Sequence, residues 1–273
     1  MYPKTVVMQS PGDSSSGRLA GASLEVEFAQ VSDCGRVRDH NEDYLGYVIP
    51  ATREQQQTHG WLFALADGVG GQDKGEVASR TAVETLLDGF QRAGSGEPLR
   101  SLLPRLVQSA NARVFEAGFE GSANGVSMAT TLVSCALRFD RAVVSHVGDS
   151  RCYRIRHRAA VALTQDHALA EAESRHVLTR SLGNGMFVSV ETSEHLLLPG
   201  DVLLLCSDGL HGAVAAAEIA DIVSRHAGLD KAAQELIATA NQHGGADNVS
   251  VQLIRVRAVE RVGMYRGRPY KLV

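Results

Sequence analysis

The chain has 273 residues, 44% of them hydrophobic and 5% aromatic, with 27 Lys+Arg against 31 Asp+Glu for a formal net charge of −4. A chain of this size and composition can bury a large core, as one domain or two, without disulfide or metal staples. The slightly acidic balance lacks the basic footprint that DNA or RNA binding needs, so the reading carries no nucleic-acid partner.

Residues 1–22 are polar, small and aperiodic, and contain the cluster Pro11-Gly12-Asp13-Ser14-Ser15-Ser16-Gly17. They read as a disordered lead-in and not as a secretory signal, which makes the cytoplasm the expected compartment. A strand pattern begins with Leu24, Val26, Phe28 and Ala29, and 44–49 and 61–66 read as two further strands separated by a polar loop at 51–60. Two amphipathic helices follow, one marked by Val83, Leu86, Leu87 and Phe90, the other by Leu99, Leu102, Leu103, Leu106, Val107, Ala110 and Val114. Residues 130–139, 142–147, 152–156 and 160–163 read as strands joined by short turns, hence antiparallel neighbours. Beyond them come strands at 187–192 and 202–206, helices at 215–226 and 230–242, a last strand at 249–256, and a basic tail over 258–273 with Arg266, Arg268 and Lys271. Antiparallel strands interleaved with helix pairs indicate an α+β fold, with one domain over 23–257.

No apolar run approaches the ~20 residues of a membrane span, so no membrane insertion is expected. The four cysteines, Cys34, Cys135, Cys152 and Cys206, form no C-x-x-C pair and read as reduced, small hydrophobic residues. His146 sits in an apolar strand, and His59, His157 and His226 sit in polar text; these read as packing or surface residues.

The chemistry lies in one recurring theme. Apolar strands run out into an aspartate beside a small residue at Asp67-Gly68, Gly148-Asp149-Ser150 and Ser207-Asp208-Gly209, and Asp247-Asn248 enters the final strand. A single Asp-Gly is most simply a tight turn. Four together, on strands of one sheet system, place carboxylates at one rim, where hard divalent cations would relieve their repulsion. An oxygen-only donor set favours Mg²⁺ or Mn²⁺, and such ions suit hydrolysis of phosphate esters. Arg36 and Arg38 offer a guanidinium for the remaining phosphate charge, although loop arginines also serve as plain surface.

The ordered set Arg38-x-x-Asn41-Glu42-Asp43, Asp67-Gly68-Val69-Gly70-Gly71, Thr130-Thr131, Gly148-Asp149-Ser150-Arg151, Thr164-x-Asp166-His167, Leu178-Thr179-Arg180-Ser181-Leu182-Gly183, Ser207-Asp208-Gly209-Leu210 and Asp247-Asn248 resembles the metal-dependent PPM-type (protein phosphatase 2C) Ser/Thr phosphatases in their bacterial form. The resemblance implies a β-sandwich of two packed antiparallel sheets flanked by helix pairs, in four layers α-β-β-α. It also implies two Mn²⁺ or Mg²⁺ ions, with Asp67 bridging them, the Gly68 carbonyl on the second, and Asp208 and Asp247 on the first. Asp149 with Asp208 would form a weaker third site, Glu42 and Asp43 would orient metal-bound waters, and Arg38 would bind the substrate phosphate. The implied reaction is direct attack of a metal-activated water on phosphoserine or phosphothreonine in a protein, opposing a bacterial Ser/Thr kinase. The alternative is a pseudophosphatase that binds a phosphoprotein without turnover.

Three departures from the family pattern stand out. Many members carry a histidine after the Asp-Gly as acid for the leaving oxygen, whereas this chain has Val69, so the proton is expected from a metal-bound water or another group, His40 being a lesser candidate. Ala129 replaces a glycine before the paired threonines. The flap that usually separates Asp-His from Leu-Thr-Arg is cut to the residues between His167 and Leu178, which implies an open rim and a weakly held third ion.

Overall fold

A computed structural model describes residues 5–9, 24–69, 74–120, 128–169, 177–265 and 268–271. Its strands are β1 (Thr5–Gln9), β2 (Leu24–Asp33), β3 (Asp43–Val48), β4 (Trp61–Asp67), β5 (Leu132–Arg138), β6 (Arg141–Val147), β7 (Arg151–Arg156), β8 (Ala159–Ala162), β9 (Glu191–Leu196), β10 (Val202–Cys206), β11 (Val249–Val259), β12 (Val262–Tyr265) and β13 (Arg268–Lys271). Its helices are α1 (Arg53–Thr58), α2 (Gly75–Gln91), α3 (Leu99–Glu120), α4 (Asp208–His211), α5 (Ala216–Arg225) and α6 (Leu229–Gln242).

The period-two text of the strands builds the layers. In β4, Phe63 and Leu65 point into one apolar cluster while Leu62, Ala64 and Ala66 point into another. In β10, Leu203 and Leu205 share the cluster of Phe63, and Val202, Leu204 and Cys206 face the opposite way. Strands that are apolar on both faces must be covered on both faces. The shared cluster is the space between a six-stranded sheet, ordered β1-β2-β11-β10-β7-β8, and a five-stranded sheet, ordered β3-β4-β5-β6-β9. Every strand pairing in these sheets is antiparallel.

Two outer clusters complete four layers. Helices α5 and α6 bury Ile219, Ile222, Val223, Leu236 and Ile237 against the first sheet. Helices α2 and α3 bury Val83, Leu86, Phe90, Leu103, Val107 and Val114 against the second. The α-β-β-α sandwich expected from the sequence is thus the architecture. One polar link crosses the apolar middle: Gln252 of β11 donates from Nε2 to Gln30 Oε1 at 2.7 Å and to the Gly46 carbonyl of β3 at 3.1 Å. The buried Nε2 thus has two acceptors, and its bond to Gly46 fixes how one sheet sits on the other.

Several boundaries differ from the sequence reading. The 51–60 loop holds α1, six polar residues without an apolar stripe; Thr52 caps it by accepting from the Gln55 amide at 3.1 Å. The strand expected at 187–192 starts instead at Glu191, because side chains of α3 occupy the backbone before it: Gln108 and Asn111 donate to the Met186 carbonyl, and the Val188 amide donates to Gln108 Oε1. Within the lead-in, Thr5–Gln9 pairs with β2 instead of remaining without structure. The last long strand runs to Val259, past the expected domain end at 257, and β12 pairs with β13 where a basic tail was expected. The remainder of the lead-in, Gly70, Gly71 and most of the shortened flap (170–176) lie outside the described residues.

The inter-sheet cluster holds the layers together, and Phe63 is wholly buried in it, with the rings of Phe28 and Tyr47 at 5.2 and 6.5 Å. Phe63→Ala is expected to lower unfolding free energy by about 3–5 kcal/mol, measured by urea denaturation; a loss below 1 kcal/mol would show that the layers are held by something else.

Candidate active site

Strand register brings the acidic positions to one rim. Asp43, first in β3, lies opposite Asp67, last in β4. Cys206, two residues before Asp208, pairs with Val251, four residues after Asp247. Leu132 pairs with Val147, so the Thr130-Thr131 and Gly148-Asp149 segments leave β5 and β6 at that same end.

Neutral groups clamp the segments that carry the acids. The Asp67 carbonyl accepts from Thr130 Oγ1 at 2.7 Å and from the Thr131 amide at 2.8 Å, and the Asp67 amide donates to Thr131 Oγ1 at 3.0 Å. Thr131 Oγ1 also lies 2.7 Å from Ser150 Oγ, tying Asp67 to the neighbour of Asp149. Asn248 joins the Arg38 loop to the last strand: its Oδ1 accepts from the Glu42 amide at 2.8 Å, and its Nδ2 donates to the carbonyls of Cys34 and His40, each at 3.0 Å. Ser207, just before Asp208, donates to Asp43 Oδ2 at 2.8 Å, linking the two sheets at the rim.

Two glycines allow a close approach there. A Cβ on Gly68 would lie 2.5 Å from the Gly75 carbonyl, and one on Gly75 would lie 2.8 Å from Glu42 Oε1. The end of β4 and the Glu42 carboxylate therefore pack against the first turn of α2, where the helix dipole favours negative charge.

The electrostatics follow from this crowding. Burial, then Asp43, Asp208, Asp149 and Asp247, hold the Asp67 carboxyl well above the usual carboxylate range. Burial and the charges of Asp208 and Asp247 push Asp43 up to about 7, against hydrogen bonds from Ser250 and Ser207 that pull it down. Burial, Asp208 and Asp166 push Asp149 up to about 7. Glu42 is also raised, chiefly by burial. A guanidinium answers part of this charge, Arg38 Nη2 lying 2.7 Å from Asp247 Oδ2.

Every sequence-predicted site residue, Arg38, Glu42, Asp43, Asp67, Gly68, Asp149, Asp208 and Asp247, thus belongs to one neighbourhood. The donor set fits hard divalent ions: it is made of oxygens, it is strongly anionic, and its carboxyls are costly to ionise together. His40 stands 74% exposed with Nε2 3.9 Å from Glu42 Oε1. It groups with Glu42 and Glu76 in a set whose possible ligand atoms lie within 4.8 Å of one another.

The sequence reading missed His211. It lies three residues after Asp208, one turn along α4, and its Nε2 is 2.9 Å from the Asp149 carbonyl. Burial and Arg151 lower its pKa to about 4, so the neutral ring donates and fixes the Asp149 loop. That spacing is the one signal that could have revealed it. Arg151 grips Asp166 through two contacts, at 2.8 and 2.6 Å.

A second group of His146, His167 and Glu191 also has close ligand atoms. His167 Nδ1 accepts from the Gly148 amide at 3.2 Å, which leaves the proton on Nε2, 3.2 Å from Glu191 Oε1. His146 Nε2 lies 2.8 Å from the Gln165 carbonyl, and Arg180 Nη1 lies 3.4 Å from the same Glu191 oxygen. These groups form a hydrogen-bonded turn with no nitrogen lone pair aimed at Glu191, in keeping with a turn-ordering role for His167.

Comparisons with known proteins identify the family. A family model described as protein phosphatase 2C matches residues 36–253. The serine/threonine phosphatase stp of Listeria innocua is 34% identical over 264 residues, covering 90% of this chain and 99% of that protein. The solved serine/threonine phosphatase of S. agalactiae superposes with a TM-score of 0.75 at 29% identity, covering 85% of this chain and all, 100%, of that one. The catalytic domain of the serine/threonine protein phosphatase PstP, solved with two manganese ions, gives a TM-score of 0.74 at 28% identity, covering 86% of this chain and 100% of that one. The chain belongs to the protein phosphatase 2C family.

Proposed function

We propose that this protein is a divalent-metal-dependent protein phosphatase that hydrolyses phosphoserine and phosphothreonine, using the residues gathered at the rim. The observation that carries the reading is that strand register and hydrogen bonds bring Asp43, Asp67, Asp149, Asp208 and Asp247, from strand ends far apart in the chain, to one rim. Asp67, the Gly68 carbonyl, Asp208 and Asp247 would hold two Mn²⁺ or Mg²⁺ ions, and Asp149 with Asp208 a weaker third. Bound there, such ions lower the pKa of water and draw off phosphoryl charge.

The chain's own residues supply the rest. Arg38, 43% exposed, can turn from Asp247 toward a phosphoryl group and grip two of its oxygens. Glu42 and Asp43 accept hydrogen bonds from waters at the site and so set their orientation. A water oxygen attacks phosphorus, the bond to the seryl or threonyl oxygen breaks, and that oxygen takes up a proton. His40, exposed beside Glu42, is one side chain placed to supply it, and water at the site is the other source. The phosphoester removed here is one made by a Ser/Thr kinase, and a cytoplasmic location completes the reading; no described helix is long and apolar enough to cross a membrane. The carboxylates that a pseudophosphatase would have lost are all present.

Asp67→Asn and Asp208→Asn are each expected to cut Mn²⁺-dependent turnover of a phosphothreonine peptide by more than about 100-fold with an unchanged far-ultraviolet circular dichroism spectrum. Turnover like that of the wild type in either variant would refute the site.

The raised pKa of Asp149 gives a second test. Its folded value of about 7 lies above the ordinary 3.8, so the folded state holds the proton more tightly. Ionising it costs stability, progressively between those two pH values and in full above the higher one. In chelator, the melting temperature of Asp149→Asn relative to wild type is therefore expected to rise from pH 4 to pH 7; a difference that stays flat with pH would contradict the crowding.

A further inference from the structure

The loop between Gly183 and β9 carries two adjacent apolar side chains that the fold does not use. Phe187 is 83% exposed and Met186 58%. A mobile loop could tuck such side chains away, but this one is pinned. Asn111 Nδ2 donates to the Gly185 carbonyl at 2.8 Å and to that of Met186 at 3.0 Å, and Gln108 Nε2 donates to Met186 at 2.8 Å. The Gly183 amide donates to Asn111 Oδ1 at 3.0 Å, and the Val188 amide to Gln108 Oε1 at 3.2 Å. Val188 and Val190 pack down against the cluster under α2 and α3, so the residues after the tip are anchored too.

The conformation of Gly183 is part of the device. It has φ +91°, and a Cβ there would stand 2.1 Å from the Met128 carbonyl. Only glycine lets the chain turn along α3 at this point. The α3 face that pins the loop, with Gln108 and Asn111, continues at helical spacing through Phe115 to Phe119, which is 64% exposed.

The loop is also continuous with the site. Leu182 exchanges both backbone hydrogen bonds with Thr130, at 3.2 and 2.8 Å, and Thr130 Oγ1 holds the Asp67 carbonyl. Two inter-strand spacings of ~4.8 Å and four residues of chain then separate Asp67 from Met186, ~24 Å at most. An extended peptide covers that span in roughly seven residues.

We infer that Met186 and Phe187 form a rigid apolar ledge that docks a hydrophobic side chain of the phosphoprotein substrate, within about seven residues of the phosphorylated Ser or Thr. The inference rests on the phosphatase reading above and adds substrate choice to it. Surface apolar residues standing singly carry no such meaning. Here two neighbours are held outward by polar side chains, beside the segment that clamps Asp67. The ledge acts on peptide binding alone, because neither side chain belongs to the acidic site.

The test uses Mn²⁺-loaded full-length protein with phosphothreonine peptides in a Gly/Ser background. One leucine is placed in turn at each of the seven positions on either side, and p-nitrophenyl phosphate serves as the control. The wild type is expected to show a KM lower by roughly three- to tenfold at one or two leucine positions, with kcat unchanged. Phe187→Ser should erase that preference and leave hydrolysis of p-nitrophenyl phosphate at the wild-type rate. A wild type indifferent to leucine, or a preference that survives in the Met186→Ser/Phe187→Ser double variant, would overturn the ledge. Sedimentation showing a wild-type dimer that Phe187→Ser dissociates, with no change in peptide KM, would assign the surface to a second copy and overturn it as well. Failure to hydrolyse p-nitrophenyl phosphate at all would instead strike the phosphatase reading beneath it.

Discussion

Mutual repulsion among crowded carboxylates is the constraint around which this protein is arranged. Asp43, Asp67, Asp149, Asp208 and Asp247 come from separate strand ends, and each raises the cost of ionising its neighbours. Nothing in the acids themselves would bring them together. Most of the groups that hold them carry no charge: the paired threonines on Asp67, Ser207 on Asp43 and the neutral ring of His211 on the Asp149 carbonyl, while Asn248 fixes the loop whose Arg38 guanidinium meets Asp247. The clamps on Asp67 and Asp149 bind their backbones and so do not themselves occupy the two carboxylates.

The sandwich beneath the rim makes such clamping affordable. The apolar clusters on both faces of each sheet supply the burial that offsets the repulsion, and the Gln30–Gln252–Gly46 link sets the sheets in register. Precise seating matters because the acids belong to both sheets, Asp43 and Asp67 to one, and Asp208 and Asp247 to the other. A functional site that works against stability is a familiar exchange in enzymes, and here its origin can be named residue by residue.

Much of this was legible in the text. The near-continuous apolar runs of β4, β5 and β10 and the three/four spacing in α2, α3 and α6 report burial directly, and burial decides those elements. The acids were legible because the Asp-Gly and Gly-Asp pairs recur at strand ends. What escaped was structure without an apolar signature. Helix α1 is polar throughout, and β9 begins only where Gln108 and Asn111 release the backbone. β1 and the β12–β13 pair lie in segments whose composition reads as tail. His211 escaped for another reason, since its spacing from Asp208 is its one mark and does not name a carbonyl partner 62 residues away.

The central claim is that these acidic side chains share a pair of neighbouring ions. Electron paramagnetic resonance of the protein titrated with Mn²⁺ tests it most directly. The account predicts the broad spectrum of an exchange-coupled manganese pair once more than one ion per chain is bound. A spectrum of isolated, uncoupled manganese at every loading would contradict it.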